Sequence, residues 1–342
     1  MKYIFTLIFS MITTISLALG FVDPDAPKTD PEWSRAVRKG AMAKLELHVV
    51  DENDTPVANA NVSVIMGMIS TAYRINGQTD TNGVFIIKGK TKGNEIIILS
   101  KKEGYYNSKQ KLCFIKMGEE RQVKNGKWQP YGEKVTVVLR KVKNTNHNLV
   151  NFGDEYDFKK TQKFYDWIGF DLEENDFVTP YGSGKVADFE VFIEWDYNTG
   201  EKYIGMALDI RFNEPYAGYY VVEKDKFSNF QGVYSAETNR TYITTERFFT
   251  KLIGNNERKR HKFDNSKCWI VRSRCVVDNE GKLVSANYSI ISDFLYGRDD
   301  DDRNVFCIRL YGYFNPIPND TNLEHKVRRW DYNVLEGMDK YY

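Results

Sequence analysis

Beginning at Lys44, apolar and polar side chains alternate: Leu45, Leu47 and Val49 fall on one side of the chain, Glu46 and His48 on the other. A period of two belongs to a strand with one face in a core and one in water, and it does not fit a helix, whose apolar positions recur every three to four residues. The pattern returns at 61–66, 84–88, 95–100 and 133–142, and again at 187–195, 203–212, 218–222, 268–277, 283–291 and 305–314. In the 187–195 run, Ala187, Phe189, Val191, Ile193 and Trp195 share one face while Asp188, Glu190 and Glu194 share the other. Turn formers separate the runs, notably Asp51-Glu52-Asn53-Asp54-Thr55-Pro56 and Asp80-Thr81-Asn82-Gly83. Gly83 supplies the positive φ that a tight Asn-Gly hairpin demands. In the strand that follows, Phe85 and Ile87 oppose Val84 and Ile86, which predicts cover on both faces.

Short strands with punctuating turns predict an all-β chain, here a β-sandwich over 44–142 and a larger β-sandwich or jelly-roll-like domain over 161–342, with one or two short helices. Polar residues 143–160 read as the linker between them. One helix is expected just before the first strand, where Asp30 caps, Pro31 suits the first turn, Arg38 and Lys39 suit the last and Gly40 terminates. A second is expected at 245–252, where Phe248/Leu252 and Phe249/Ile253 stand four apart before Gly254.

The first twenty residues have a different character. Lys2 is followed by an apolar stretch from Tyr3 to Met11, and Ala18-Leu19-Gly20 carries small residues where a signal peptidase reads. We therefore expect a cleaved leader at 1–20, a short-helix linker at 21–43, and an exported chain (periplasmic, outer-surface or extracellular) without a membrane span. The chain has 48 Lys and Arg against 47 Asp and Glu, and loss of Lys2 with the leader leaves 47 against 47. A net charge of zero argues against a nucleic-acid partner. The balance is uneven along the chain: 16 basic and 10 acidic residues in 41–142 give +6, while 27 and 33 in 143–342 give −6. Such halves can dock on each other or on neighbouring copies.

Export permits disulfides among Cys113, Cys268, Cys275 and Cys307. Cys268 and Cys275, seven apart in one predicted strand, face opposite ways and should not pair. Either one can reach Cys307 across a strand pair, or all four serve as small buried hydrophobes.

Three separated motifs carry a resemblance. Val50-Asp51 with Thr55-Pro56-Val57-Ala58-Asn59-Ala60-Asn61-Val62, then Gln78-Thr79-Asp80-Thr81-Asn82-Gly83-Val84-Phe85, then Lys102-Glu103-Gly104-Tyr105 resemble the carboxypeptidase regulatory-like domain, a transthyretin-like sandwich of immunoglobulin type. The resemblance spans about 44–142 and implies a non-catalytic accessory module on an exported protein; Asn59 stands where that family usually has Gly. The segments 176–189, 277–288 and 315–324 are similar to parts of exported bacterial proteins of no assigned activity that also carry the regulatory-like domain.

Chemistry-bearing motifs are sparse. No Gly-x-Ser-x-Gly elbow occurs, and Gly182-Ser183-Gly184 sits in a Pro/Gly turn. His48, His147, His261 and His325 are scattered singly, without zinc-ligand spacing. Asp299-Asp300-Asp301-Asp302 lacks the alternation and Gly of a calcium loop and is flanked by Arg298 and Arg303. Glu190, Glu194 and Asp196 share a strand face near glycosidase separations, but an acidic sandwich face serves solubility more often. Arg258-Lys259-Arg260-His261-Lys262 reads as a charged loop tip. The remaining candidate is aromatic: Tyr216, Tyr219, Tyr220, Phe227, Phe230 and Tyr234, clustered around Pro215, offer a platform for a sugar ring or a protein partner. The expected function is thus a non-catalytic binding or assembly protein with a protein or glycan partner and no cofactor or metal. The alternatives are a carbohydrate-active or other hydrolase with its site in the second half, and a structural subunit of a bacterial surface assembly.

Overall fold

The alternating runs become strands in a computed structural model that describes residues 31–67, 72–92, 95–113, 123–159, 166–198, 204–253, 257–298 and 305–327. The leader at 1–20 and the Asp299–Asp302 run lie outside the described residues. The first half contains α1 (Pro31–Lys39), β1 (Ala41–Val50), β2 (Asn61–Met66), β3 (Tyr73–Gln78), β4 (Val84–Thr91), β5 (Glu95–Lys101), β6 (Ser108–Cys113), β7 (Val123–Lys124), β8 (Lys127–Trp128) and β9 (Glu133–Val138). One sheet runs β4-β1-β8-β7, with β9 parallel to β1; the other runs β3-β2-β5-β6. Their inner faces meet in a core of Leu45, Leu47, Val49, Ile87 and Val137 against Val62, Val64, Met66, Ile96 and Ile98. Trp128 closes one end, fully buried, with its indole N–H donating to the Thr91 carbonyl at 3.0 Å. The turns form as their residues dictate: Gly83 has φ 71° and Asn59 has φ 52°, the left-handed region that Asn tolerates. Ile86, expected to be covered, is 47% exposed, because only the Phe85/Ile87 face of β4 meets the opposite sheet.

The second half contains β10 (Val150–Lys159), β11 (Ile168–Asp171), β12 (Asp176–Phe177), β13 (Phe189–Asn198), β14 (Ile204–Arg211), β15 (Gly218–Glu223), β16 (Thr245–Ile253), β17 (Glu257–His261), β18 (Lys267–Val277), β19 (Leu283–Arg298) and β20 (Val305–Asn315). A sheet of order β10-β20-β19-β18-β15 faces one of order β12-β11-β13-β14-β16-β17. The aromatic composition is spent largely between them: Phe152, Phe170, Phe177, Phe189, Phe248, Phe294, Phe306 and Phe314 share one core with Tyr219 and Trp269, whose rings stack at 3.8 Å. Each such ring buries about 150–250 Å², so this core carries much of the hydrophobic stabilisation.

Three expectations are corrected. Residues 245–252 are strand β16; no helix occurs in the second half among the described residues. Its aromatic pair splits across the strand, Phe248 in the core and half-buried Phe249 on the other face, with the His261 ring near both. Half of the supposed linker is strand β10, which pairs antiparallel with β20 over ten residues. The basic run lies mostly in β17, paired with β16. Cys268, Cys275 and Cys307 carry free thiols. No described helix is long and apolar enough to cross a membrane.

Two internal glycines shape the β10–β20 pair. Gly312 lies opposite Phe152 and Gly153 opposite Tyr311. A Cβ on Gly312 would meet the Phe152 ring at 2.4 Å and the Ile290 carbonyl at 2.0 Å, and one on Gly153 would meet the Tyr311 ring at 2.4 Å. Each glycine therefore lets the aromatic ring opposite lie flat on the sheet, one ring inside the core and one outside it.

Candidate functional site

The outer face of the β10-β20-β19-β18-β15 sheet is only partly covered. Two segments, 224–244 and 316–325, fold over it and bury Tyr220, Ile270, Tyr288 and Ile290 with Ala236 and Leu323. Where this cover stops, a cleft of about 530 Å³ opens, with a floor that includes Gly153, Tyr311, Tyr313, Ile290, Ser292 and Cys268. Asn229, Gln231, Gly232 and His325 from the covering segments, with Asn151 of β10, complete the lining. Tyr313 and His325 stack with ring centres 4.1 Å apart. Burial pushes the Cys268 thiol up to about 11, so the sulfur is protonated at neutral pH and serves as floor, not as nucleophile. The Asn229 side chain has a buried Nδ2 with no hydrogen-bond partner.

Both walls are held from the end of the first sandwich. Arg140 donates from Nη1 to the carbonyls of Phe230 and Gly232, each at 2.7 Å, while its guanidinium lies over the rings of Phe230 and Tyr234 at 4.5 and 4.6 Å. Glu324, 1% exposed, accepts from the Tyr106 hydroxyl at 2.9 Å, from the Lys143 N–H at 2.8 Å and from the Asn144 N–H at 2.6 Å. Tyr106 in turn stacks on Phe230 at 4.8 Å. Asn146 donates to the Asn322 carbonyl at 3.0 Å. Residues 140–146 thus connect the two sandwiches and shape the cleft in the same set of bonds. Charge-assisted hydrogen bonds of this kind are the stronger ones, which suits a site that must keep its form.

The six aromatic candidates do not share one surface. Tyr219 is in the core of the second sandwich, donating to Glu246, and Tyr220 is on the opposite face of β15 under the covering loop. Tyr216 is exposed, with φ 66° and its hydroxyl on the Gly281 carbonyl. Phe227 is exposed, beside a backbone bond in which the Lys109 N–H donates to its carbonyl. Phe230 and Tyr234 meet at 5.1 Å, but around Arg140, behind the cleft wall. Tyr311, Tyr313, His325, Asn151 and Gln231 were missed as a group; the signal for them was the pair of glycines interrupting β10 and β20.

The acidic strand face is an ion-pair ladder. Glu190 is bound by Arg211 and Asn213, each at 2.6 Å, and Arg247 bridges Glu194 at 2.6 Å and Asp209 at 2.8 Å. The arginines leave no proton-transfer pair there; the Asp196 side chain lies outside the described residues. Ser183, in the Pro/Gly turn, donates to Asp176. Among the described residues Glu155, Asp157 and Cys307 place ligand atoms within 4.8 Å of one another, and Arg309 already pairs with Glu155.

No protein-family model matches the chain, and no curated protein does. Among solved structures it is similar to 3-chlorocatechol 1,2-dioxygenase from Rhodococcus opacus 1CP, at 16% identity and TM-score 0.24 over 30% of this chain and 61% of that one. Hydroxyquinol 1,2-dioxygenase from Pseudomonas putida DLL-E4 gives 14% and 0.23 over 30% and 58%. The dioxygenase domain of a dioxygenase carbohydrate-binding protein fusion from Streptomyces sp. SirexAA-E gives 18% and 0.23 over 30% and 82%. The chain spans about three fifths of the length of the first two. These neighbours are named as enzymes, which corrects the expectation of a non-catalytic binding or assembly protein. A TM-score near 0.24 over 30% of the chain equally brings none of their chemistry to it.

Proposed function

We propose that the cleft is where this chain recognises its ligand or substrate, and that the molecule is a small, uncharged, hydroxylated ring such as a sugar unit. One observation carries this reading: the lining combines amides and hydroxyls (Asn151, Asn229, Gln231, Ser292) with Tyr311 and the Tyr313–His325 stack, and among the described residues it includes no Asp, Glu, Lys or Arg. Amide and hydroxyl groups both donate and accept, as sugar hydroxyls do, and aromatic faces take the apolar face of a ring.

The test is a binding screen of the full chain against neutral mono- and oligosaccharides, with the corresponding uronic acids as the charged control. Saturable binding of a neutral sugar is expected. Asn151→Ala and Gln231→Ala, both on exposed residues, should weaken it about tenfold each, the worth of roughly one hydrogen bond. Absence of neutral-sugar binding, or variants that bind as the parent does, overturns the reading. We further infer that the chain is exported after cleavage behind Gly20, and that 44–142 is an accessory module of the carboxypeptidase regulatory-like type. The leader residues and the three spaced motifs support this, and N-terminal sequencing of the secreted protein tests the first part.

A further inference from the structure

Every described residue lining the cleft comes from the second half of the chain, from Asn151 to His325. Four of them, Asn229, Gln231, Gly232 and His325, belong to the covering segments, and bonds that fix these segments run to the first half. Segment 227–229 lies along the edge of β6 as an added strand. The Lys109 N–H donates to the Phe227 carbonyl at 2.7 Å, the Asn229 N–H donates to the Asn107 carbonyl at 2.9 Å, and Ser108 and Ser228 form an antiparallel bridge between them. An edge strand offers its unpaired groups to whatever segment reaches it.

Next along the chain, Gln231 sits between the two carbonyls that Arg140 holds. The guanidinium takes Phe230 and Gly232, and the Asp225 N–H takes the Gln231 carbonyl at 3.1 Å, so three successive carbonyls are fixed and Gln231 meets the cleft from a pinned backbone. Arg140 is itself placed by the first sandwich: its carbonyl accepts from the Tyr106 N–H at 2.8 Å, and Glu52 stands 3.7 Å from its Nε. Its side chain is only 12% exposed. A lysine there would carry the same charge without the planar fork, and could not serve both carbonyls while covering the Phe230 and Tyr234 rings. The second covering segment is tied to the same point, because the Leu323 N–H donates to the Tyr234 carbonyl at 2.9 Å and the Tyr234 hydroxyl donates to the Lys141 carbonyl at 2.7 Å.

We propose that Arg140 is the positioning residue of the cleft, so that the first sandwich sets the affinity of a site it does not line, and that ligand binding in turn tightens the seam between the sandwiches. The proposal rests on the reading of the cleft as the ligand site. Its second clause follows from the first by linkage: if docking of the first sandwich strengthens binding, binding strengthens that docking by the same factor.

Two arms test it on the full chain. In the first, neutral sugars, methyl β-glucopyranoside, methyl β-galactopyranoside and cellobiose among them, are titrated by calorimetry into the parent and into Arg140→Lys. Binding about tenfold weaker in the variant is expected, a usual size for coupling between two places in a protein. Arg240→Gln, which removes a cation paired with Glu237 inside the covering segment, should bind as the parent does. In the second arm amide exchange is followed with and without sugar. Sugar should slow the Lys143 and Asn144 N–H groups, which bond Glu324 and do not line the cleft, in the parent and much less in Arg140→Lys. Without sugar, the Asn229 N–H should exchange faster in Arg140→Lys than in the parent. Parent-like binding by Arg140→Lys, an equal loss in Arg240→Gln, or sugar that leaves Lys143 and Asn144 unchanged overturns the proposal. If no neutral sugar binds the parent, the reading of the cleft fails by itself and Asn229 decides the positioning role: faster exchange in Arg140→Lys supports it, and unchanged exchange overturns it.

Discussion

Replacing Glu324 by Gln tests whether the seam between the two sandwiches is held as described. The carboxylate accepts three hydrogen bonds in a site only 1% exposed. The amide keeps the shape but turns one acceptor into a donor. That –NH₂ must face the Asn144 N–H, or else both the Lys143 N–H and the Tyr106 hydroxyl. An orphaned buried N–H costs about 1–3 kcal/mol, and downgrading the surviving bonds from charged to neutral acceptors costs roughly 1 kcal/mol more, so the loss should be about 3 kcal/mol. For a unit of about 150–250 residues, 1 kcal/mol corresponds to about 2–4 °C, which predicts a fall in Tm of about 6–12 °C by scanning calorimetry of the full chain. Tyr106→Phe, which removes one donor and leaves the carboxylate its two N–H partners, should cost about 1 kcal/mol. A Glu324→Gln shift below about 2 °C would refute the reasoning, because no arrangement of an amide can satisfy three donors that two carboxylate oxygens now share.

Three further outcomes are expected. Arg274→Ala strands Asp188, whose carboxylate is fully buried and takes bonds from Arg274 Nε at 3.0 Å and Ser273 Oγ at 2.6 Å; urea unfolding should show a loss of about 3–5 kcal/mol. Gly312→Ala drives a methyl into the Ile290 carbonyl and the Phe152 ring, and should cost about 1–3 kcal/mol, whereas Gly281→Ala, with open space around it, meets only backbone strain at φ 78°. Acid should unfold the chain through Asp51 and Asp171. The Lys141 side chain and the Asn53 and Thr55 N–H groups hold Asp51 well below the usual carboxylate range. At Asp171 burial pushes upward, but the N–H groups of Val186, Lys185 and Glu174 and the Arg274 charge outweigh it. With folded values depressed, their stabilisation is complete above the unfolded pKa of about 3.9 and drains away as pH falls below it; urea midpoints measured from pH 7 to pH 3 should decline at the acid end, less steeply in Asp51→Asn.

Most strands were legible because their cores are built by alternation: β1 buries every second residue from Ala41 to Val49. The failures are equally physical. β10 carries its inward residues Phe152, Tyr156 and Phe158 on one side, but Asp154 interrupts that side and Gly153, Glu155 and Asp157 fill the other, as befits an edge strand that among the described residues pairs with β20 alone. At β16 two consecutive phenylalanines, one for each face, imitate a four-residue repeat once Leu252 and Ile253 follow. The cleft was illegible because the paired strand residues 151 and 311–313 are joined by 229, 231, 232 and 325 from two loops distant in sequence, which the seam at 140–146 holds in place. The aromatic cluster at 216–234 failed as a site for a simpler reason: adjacent Tyr219 and Tyr220 in a strand must point to opposite faces.

The most direct measurement is a crystal structure of the chain soaked with the neutral sugar that binds best in the screen. The account predicts a ring lying in the cleft against Tyr311 and the Tyr313–His325 stack, with hydroxyls bonded to Asn151, Asn229 and Gln231. Sugar density elsewhere on the molecule with the cleft empty would contradict it.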